Sequence, residues 1–133
     1  VGNSFTRMIN HIDVDYYIAQ PEGYELDSKI TKNAKITYNQ SEALENADFV
    51  YAKNWASYSN YGQILKTDNE WMLTKEKMKI TNNAKFMHCL PVRRNIIVSD
   101  EVLDNKNSIV IQQANNRTFA AQSVIKLLID GIS

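Results

Sequence analysis

The sequence predicts an α/β domain of three layers, with a mainly parallel sheet of about five strands flanked by helices. Five short runs rich in β-branched and aromatic residues recur along the 133-residue chain, with stretches of helical periodicity between them. Their mainly apolar character is typical of parallel strands covered on both faces. The length fits one domain, so we expect a Rossmann-like arrangement over residues 1–133.

The predicted strands are bounded by turn-forming residues or by helical segments. They are VDYYIAQ (14–20), AKITY (34–38), ADFVYAKNW (47–55), AKFMHCL (84–90) and NSIVIQQ (107–113). Pro21 and Gly23 end the first strand, and Pro91 stops the fourth. A polar segment, ASYSNYGQ (56–63), follows the third strand and is predicted to be a mobile loop.

Five helices are predicted around these strands. The first, NSFTRMINHI (3–12), places its apolar residues at three- and four-residue steps on one face. The others are SEALENA (41–47) capped by Ser41, DNEWMLTKEKMKIT (68–81) capped by Asp68, SDEVLDN (99–105) capped by Ser99 or Asp100, and RTFAAQSVIKLLIDGI (117–132), which stops near Gly131.

Composition excludes several classes of function. Fifteen basic and fifteen acidic residues balance, so we expect neither nucleic acid nor a membrane surface as partner. The single cysteine excludes an internal disulfide and favours a reducing, cytoplasmic compartment. Four scattered glycines form no phosphate-binding loop, so we do not expect a dinucleotide or P-loop site. The two distant histidines give little support to a structural zinc site. Because the chain lacks an initial methionine, we expect a piece of a longer protein.

Polar residues collect where the third and fourth predicted strands end. Ligands of open parallel sheets bind outside the carboxyl ends of the strands, and Lys53, Asn54, His88 and Cys89 all fall there. A lysine ending a buried strand needs water or an anion, so Lys53 is either a solvated surface lysine or a point charge for a carboxylate or phosphate.

Three arginines are candidate anion ligands. Arg93 and Arg94 follow Pro91, and adjacent side chains tend to point apart, so only one is expected to face the strand ends. A guanidinium there could bind a carboxylate or phosphate with paired hydrogen bonds. Arg117 is predicted to begin the last helix, where its side chain and the free N–H groups of that helix could bind an anion.

The stretch FMHCLPVRRN (86–95) raises the question of a cysteine nucleophile. Neighbouring residues of a strand point to opposite faces, so His88 is badly placed to act as a base for Cys89. A buried, unreactive cysteine is the simpler interpretation. The proline after Leu90 also allows a cis peptide bond, which would turn the chain sharply and aim backbone carbonyls into a cleft.

Motifs add a resemblance to a known family. HCLP (88–91) resembles the signature of the ornithine-type carbamoyltransferases, and QQANNRTFAAQSVIKLL (112–128) resembles the closing segment of that family. ADFVYAKNWASY (47–58) and TNNAKFMHCLPVRRN (81–95) are similar to the branch that acts on N-succinyl- or N-acetylornithine. The resemblance covers essentially the whole chain, but only the second, ornithine-binding domain of such enzymes. The Ser-Thr-Arg-Thr-type motif of the carbamoyl-phosphate domain is absent.

This resemblance implies an enzyme of arginine biosynthesis, without cofactor or metal. The implied reaction transfers a carbamoyl group from carbamoyl phosphate to the δ-amine of an N-acylated ornithine. The full-length protein would then be a cytoplasmic trimer, and this piece alone would be inactive because its carbamoyl-phosphate domain is missing. Two alternatives stay open: an ordinary ornithine carbamoyltransferase with an altered loop, and a non-catalytic amino-acid-binding domain of the same fold.

Residue roles follow from the same resemblance. The catalytic group would be His88, Cys89 and Leu90, with Cys89, Leu90 and Arg117 binding carbamoyl phosphate and with Lys53 and Arg93 binding the acylated ornithine. Ordinary ornithine enzymes carry a loop similar to Asp-Thr-Trp where this chain has lysine, asparagine and tryptophan. In those enzymes the acid of the loop meets the positively charged α-amino group of ornithine. Acylation removes that charge, so a lysine at this position can pair with the α-carboxylate instead. Members of the acetyl type can carry lysine where this chain has Ile97, so the sequence looks closer to the succinyl type.

Overall fold

The chain has an α/β structure with parallel strands, and the predicted class is confirmed. The structure, a computed structural model, describes residues 1–57, 60 and 69–131. In chain order the elements are α1 (Gly2–Ile9), β1 (Tyr17–Ala19), β2 (Lys35–Thr37), α2 (Gln40–Leu44), β3 (Phe49–Ala52), a 3-10 turn (Asn69–Trp71), α3 (Lys75–Met78), β4 (Lys85–His88), α4 (Asp100–Leu103) and α5 (Val110–Asp130).

The strands form two parallel pairs. β1 pairs with β2, and Ile18 lies opposite Ile36. β3 pairs with β4, with Val50 opposite Phe86 and Ala52 opposite His88. Because both strands of this second pair run in the same direction, their carboxyl ends lie side by side, which is where the candidate residues were predicted.

The fifth predicted strand, residues 107–113, is wrong. Only Ser108 bridges to the sheet, in parallel with Phe86, and α5 already begins at Val110. The described residues therefore contain four strands instead of about five. The β-branched residues here predicted a strand, but only one residue pairs, and helix-compatible residues then extend into a helix of 21 residues. Arg117 consequently lies about two turns inside α5, and its predicted place at the helix start is also wrong.

The other helices differ from prediction mainly at their caps. α2 is capped by Asn39, whose side-chain oxygen accepts a hydrogen bond from the Ser41 N–H at 3.0 Å, and not by Ser41. The segment predicted as one helix over 68–81 divides into the 3-10 turn and α3, which is capped by Thr74. Asp68 and most of the predicted 56–63 loop lie outside the described residues. Ser99 occupies the N-cap position of α4, as predicted.

The core lies against one face of the β3–β4 pair. Its buried residues are Leu44, Val50, Leu73, Ala84, Phe86, Val98, Val102, Leu103 and Val110. Phe86 and Val98, at 1 % and 0 % exposure, are its most enclosed large side chains. The next residue on the Phe86 face of β4 is His88, so the core fixes the position of the strand end.

Replacing Phe86 with alanine is expected to lower the free energy of unfolding by about 3–5 kcal/mol, because the buried ring leaves a cavity that close-packed neighbours fill poorly. Phe49→Ala, on the adjacent strand, removes a ring that is 65 % exposed and is the matched control. Urea unfolding of the full-length protein measures both variants. Equal losses for the two would contradict this assignment of the core.

α5 differs from the rest of the fold because it is mostly exposed. Val110 is its only buried residue among those described. Seven of its large apolar side chains are at least 56 % exposed: Ile111, Phe119, Val124, Ile125, Leu127, Leu128 and Ile129. Within the described part of the chain, no helix combines the length and apolar character needed to cross a membrane.

Candidate active site

The candidate site is the edge formed by the ends of β3 and β4. Residues 88–91, here called the strand-end turn, leave β4 beside the segment that leaves β3. Ala52 lies opposite His88, so the next residues along the chain, Lys53 and Cys89, leave the two strands side by side. The proximity of Cys89 raises the pKa of Tyr51 and opposes the lowering of the pKa of Lys53 by burial. Three predicted site residues, Lys53, His88 and Cys89, are thus brought to one place.

His88 and Cys89 face opposite sides, as the strand geometry predicted. His88 is 1 % exposed on the core side, whereas Cys89 is a free, exposed cysteine. The simpler expectation of a buried cysteine is therefore wrong. His88 Nδ1 accepts a hydrogen bond from the Leu90 N–H at 2.9 Å, so this nitrogen is engaged by the backbone and not by the thiol. The arrangement does not form a cysteine–histidine nucleophile pair.

The His88 imidazole is neutral in this arrangement. An Nδ1 that accepts a hydrogen bond carries no proton, so the proton of the neutral ring lies on Nε2. Burial lowers the pKa of His88, which favours the same uncharged form. Nε2 is buried and has no hydrogen-bond partner among the described residues.

The strand-end turn presents backbone carbonyls. The Leu90–Pro91 peptide bond is cis, as the sequence suggested, and Leu90 has a φ of 47°. The Pro91 carbonyl accepts a hydrogen bond from Asn54 Nδ2 at 2.9 Å, which ties the turn to the segment after β3. Within the described part of the chain, the Cys89 and Leu90 carbonyls accept no hydrogen bond. Two acceptors thus remain available to a ligand.

Lys53 is the cation of this edge. It is half-buried, and its Nζ donates to the Asn54 carbonyl at 3.0 Å. Burial lowers its pKa, and the nearby Cys89 thiol opposes that shift. An ammonium has three donors, so an incoming carboxylate can accept from those that the Asn54 carbonyl leaves free. Of the two interpretations of Lys53, partial burial favours the point charge.

Aromatic contacts hold the segment after β3. The Trp55 ring lies 5.3 Å from Tyr24 and 6.1 Å from Trp71, centroid to centroid. On the other face, the Phe5 ring of α1 packs 4.5 Å from the Tyr51 ring. Lys53 therefore stands between two residues that ring packing fixes.

Two residues at the site were not predicted, Tyr51 and Gln113. Gln113 Oε1 accepts a hydrogen bond from the His88 backbone N–H at 3.0 Å. Burial, followed by the proximity of Cys89, raises the pKa of Tyr51 to about 12, and the neighbouring Gln113 side chain opposes that shift. Gln113 lies 25 positions from His88 in the chain, so no local pattern connects them. The only signal is its place in the QQANNR stretch that carried the resemblance.

The two adjacent arginines have different surroundings. Arg94 donates to Asp104 through both terminal nitrogens, at 2.7 and 2.9 Å, and to Asp100 at 2.6 Å. These carboxylates raise the pKa of Arg94 above its usual value. Arg93 is exposed, and its guanidinium forms no hydrogen bond or ion pair with the described residues. Arg93 is thus the one available for a ligand.

Arg117 stands apart from this cluster. It is exposed on α5, and no described contact joins it to the strand-end turn. The described residues also contain no group of three or more histidine, cysteine, aspartate or glutamate side chains that could hold a metal ion.

The sequence is similar to that of known proteins. Residues 1–128 match the family model of the aspartate/ornithine carbamoyltransferase, Asp/Orn binding domain. The chain is 54 % identical over 134 residues to an N-succinylornithine carbamoyltransferase of Bacteroides thetaiotaomicron, covering 99 % of this chain and 42 % of the relative. An N-acetylornithine carbamoyltransferase of Xylella fastidiosa is 33 % identical and is covered to 44 %, over 96 % of this chain. The chain spans less than half the length of these curated relatives.

Solved structures give a similar result. An acetylornithine transcarbamylase complexed with acetylcitrulline superposes with a TM-score of 0.77 at 30 % identity, over 88 % of this chain and 40 % of the other. An N-acetyl-L-ornithine transcarbamylase mutant complexed with carbamyl phosphate and N-succinyl-L-norvaline gives 0.79 at 29 %, over 88 % and 41 %.

Proposed function

The chain belongs to the aspartate/ornithine carbamoyltransferase, Asp/Orn binding domain family, and we propose that its protein carbamoylates the δ-amine of an N-acylated L-ornithine. The carbamoyl donor is carbamoyl phosphate, and residues 1–133 form the amino-acid-binding domain. The observation that carries the proposal is the half-buried Lys53 beside Cys89, a cation at the sheet edge where a free amino acid would require an acid. N-Succinyl-L-ornithine is the preferred substrate proposed, because the Bacteroides relative of that name is more similar than the N-acetylornithine relative.

Lys53 binds the α-carboxylate of the acylated ornithine. A free ornithine carries an α-ammonium that a lysine would repel, whereas acylation turns this nitrogen into a neutral amide. The carboxylate is then the only charge near the α-carbon, and a partly desolvated ammonium pairs with it more strongly than in water. Lys53 therefore favours acylated over free ornithine.

Arg93 binds the acyl end of the substrate. A succinyl group ends in a second carboxylate, and the guanidinium of Arg93 can donate paired hydrogen bonds to its two oxygens. Arg94 has its donors committed to Asp100 and Asp104, so it does not compete for this group. An acetyl group offers only a carbonyl, which makes fewer hydrogen bonds with a guanidinium.

The reaction needs orientation more than a covalent catalyst. The Cys89 and Leu90 carbonyls accept hydrogen bonds from the carbamoyl NH2 and present the carbonyl carbon to the δ-amine. The neutral amine forms the new C–N bond, a tetrahedral intermediate collapses, the C–O bond to phosphate breaks, and the phosphate takes the amine proton. Cys89 positions the turn without attacking, and the rate enhancement comes from proximity and charge stabilisation.

The rest of the active site is formed by a carbamoyl-phosphate domain of the full-length protein, outside residues 1–133. The exposed apolar side chains of α5 form the face on which the carbamoyl-phosphate domain packs, since so much apolar surface on one helix is costly to leave in water. Arg117 lies on this helix and contacts carbamoyl phosphate once that domain is in place. The whole protein is proposed to be a cytoplasmic trimer of arginine biosynthesis with a Rossmann-like domain.

The activity is tested on the full-length protein with carbamoyl phosphate and an equimolar mixture of N-succinyl-L-ornithine, N-acetyl-L-ornithine and L-ornithine. Mass spectrometry of the products and phosphate release are followed together. We expect a carbamoylated acylornithine with stoichiometric phosphate. Carbamoylation of free ornithine alone would favour the ordinary ornithine enzyme, and binding without turnover would favour a non-catalytic domain.

A further inference from the structure

The proposed reaction depends on two backbone carbonyls in residues that no strand holds. β4 ends at His88, so Cys89 and Leu90 lie beyond the ladder of strand hydrogen bonds. We propose that Gln113 and His88 are positioning residues, which fix the peptide units of Cys89 and Leu90 through their side chains. This inference rests on the proposed function, because it assigns the two side chains to the carbamoyl-orienting carbonyls.

Gln113 holds the beginning of the turn. Its Oε1 accepts from the His88 N–H at 3.0 Å. One side-chain amide of α5 thus holds the backbone of His88, the first residue of the strand-end turn.

His88 holds the end of the turn. Its Nδ1 accepts the Leu90 N–H at 2.9 Å, so the imidazole spans from the last strand residue to the residue before the proline. This requires an unprotonated Nδ1, and the 1 % exposure of His88 keeps water from competing for the Leu90 N–H. The His88 and Leu90 N–H groups are therefore both taken by side chains, and the carbonyls of Cys89 and Leu90 stay open.

A substitution on α5 tests Gln113. In the full-length protein, Gln113→Leu is expected to lower kcat/KM for carbamoyl phosphate by about tenfold or more, since one lost buried hydrogen bond and a misplaced acceptor suffice for that factor. The KM for the acylated ornithine should change much less, because Lys53 and Arg93 are untouched. Gln112→Leu, the adjacent and exposed glutamine, is the matched control and should behave as wild type. Equal effects of the two substitutions would overturn the role of Gln113.

A pair of substitutions tests His88. Asparagine can place its side-chain oxygen near the position of Nδ1, whereas glutamine places its amide near Nε2. His88→Asn is therefore expected to keep about tenfold more kcat/KM for carbamoyl phosphate than His88→Gln. Equal losses for the two, at equal melting temperatures, would show that His88 only fills space.

Amide hydrogen exchange separates this inference from the proposed function. Exchange of a peptide spanning residues 86–92 in the full-length protein should be faster in His88→Gln and Gln113→Leu, and close to wild type in His88→Asn and Gln112→Leu. If the protein has no carbamoyltransferase activity but shows this pattern, the proposed function fails while the hydrogen-bonded turn stands. If activity is present and exchange is identical in all four variants, the positioning role is wrong.

Discussion

Lys53→Asp is expected to lower kcat/KM for N-succinyl-L-ornithine in the full-length protein by about a thousandfold, because losing a partly buried charge pair costs about 2–5 kcal/mol and a like charge adds repulsion. The loss should appear with N-acetyl-L-ornithine as well, since both substrates carry the α-carboxylate. The binding of carbamoyl phosphate alone should change much less. Steady-state kinetics with each substrate varied in turn measures these effects.

The control for Lys53 makes the same charge reversal elsewhere. Lys79→Asp changes an exposed lysine at the end of α3, away from the strand ends, and should leave kcat/KM close to wild type. If Lys53→Asp behaves like this control, Lys53 is a solvated surface lysine and the amino-acid site lies elsewhere. If the variant instead gains activity with free ornithine, the charge at position 53 selects between the two branches.

Arg93→Leu is expected to lower kcat/KM for N-succinyl-L-ornithine by about a hundredfold, because the substitution leaves the second carboxylate without its guanidinium partner. N-Acetyl-L-ornithine should lose less, since it has no charge at that end. The ratio of the two kcat/KM values, measured in wild type and variant, isolates the contribution of the carboxylate.

The neighbouring arginine provides the matched control. Arg94→Leu removes the ion pairs to Asp100 and Asp104, and because this network is exposed it should lower the melting temperature slightly without changing substrate preference. An identical loss with both acylated substrates in Arg93→Leu would place the arginine elsewhere than at the acyl end. A larger kinetic effect in Arg94→Leu would exchange the two assignments.

The strand-end part of the site was predictable from general rules. Parallel strands bring their carboxyl ends together, and this places Lys53 beside Cys89 without any knowledge of packing. Alternation along a strand likewise separates His88 from Cys89, so the sequence alone argues against a cysteine–histidine nucleophile pair.

Three predictions are wrong because they depend on tertiary packing: the fifth strand, the start of the last helix and the burial of Cys89. A run of Ser108, Ile109, Val110 and Ile111 has the composition of a strand, yet one bridge residue satisfies the sheet and a helix begins directly afterwards. Placing a strand there also moved the predicted helix start to Arg117. The exposure of Cys89 has a similar origin, because nothing local determines whether a residue beyond the strand end is covered.

Gln113 is the site residue that sequence patterns are least able to predict. Its role depends on the strand bridge at Ser108, which aligns the first turn of α5 with the end of β4. When residues 107–113 are interpreted as a strand, nothing predicts that Gln113 lies on a helix and that its side chain accepts a hydrogen bond from the His88 N–H. The contact exists because tertiary packing brings the start of α5 to the end of β4.

The most direct test of the account is the ratio of kcat/KM for N-succinyl-L-ornithine to that for L-ornithine, measured separately on the wild-type full-length protein at saturating carbamoyl phosphate. A cation in place of an acid at the α-carbon should make this ratio at least about a thousand, by the same charge arithmetic that applies to Lys53. A ratio near or below one would contradict the proposal that this sheet edge is built for an acylated substrate.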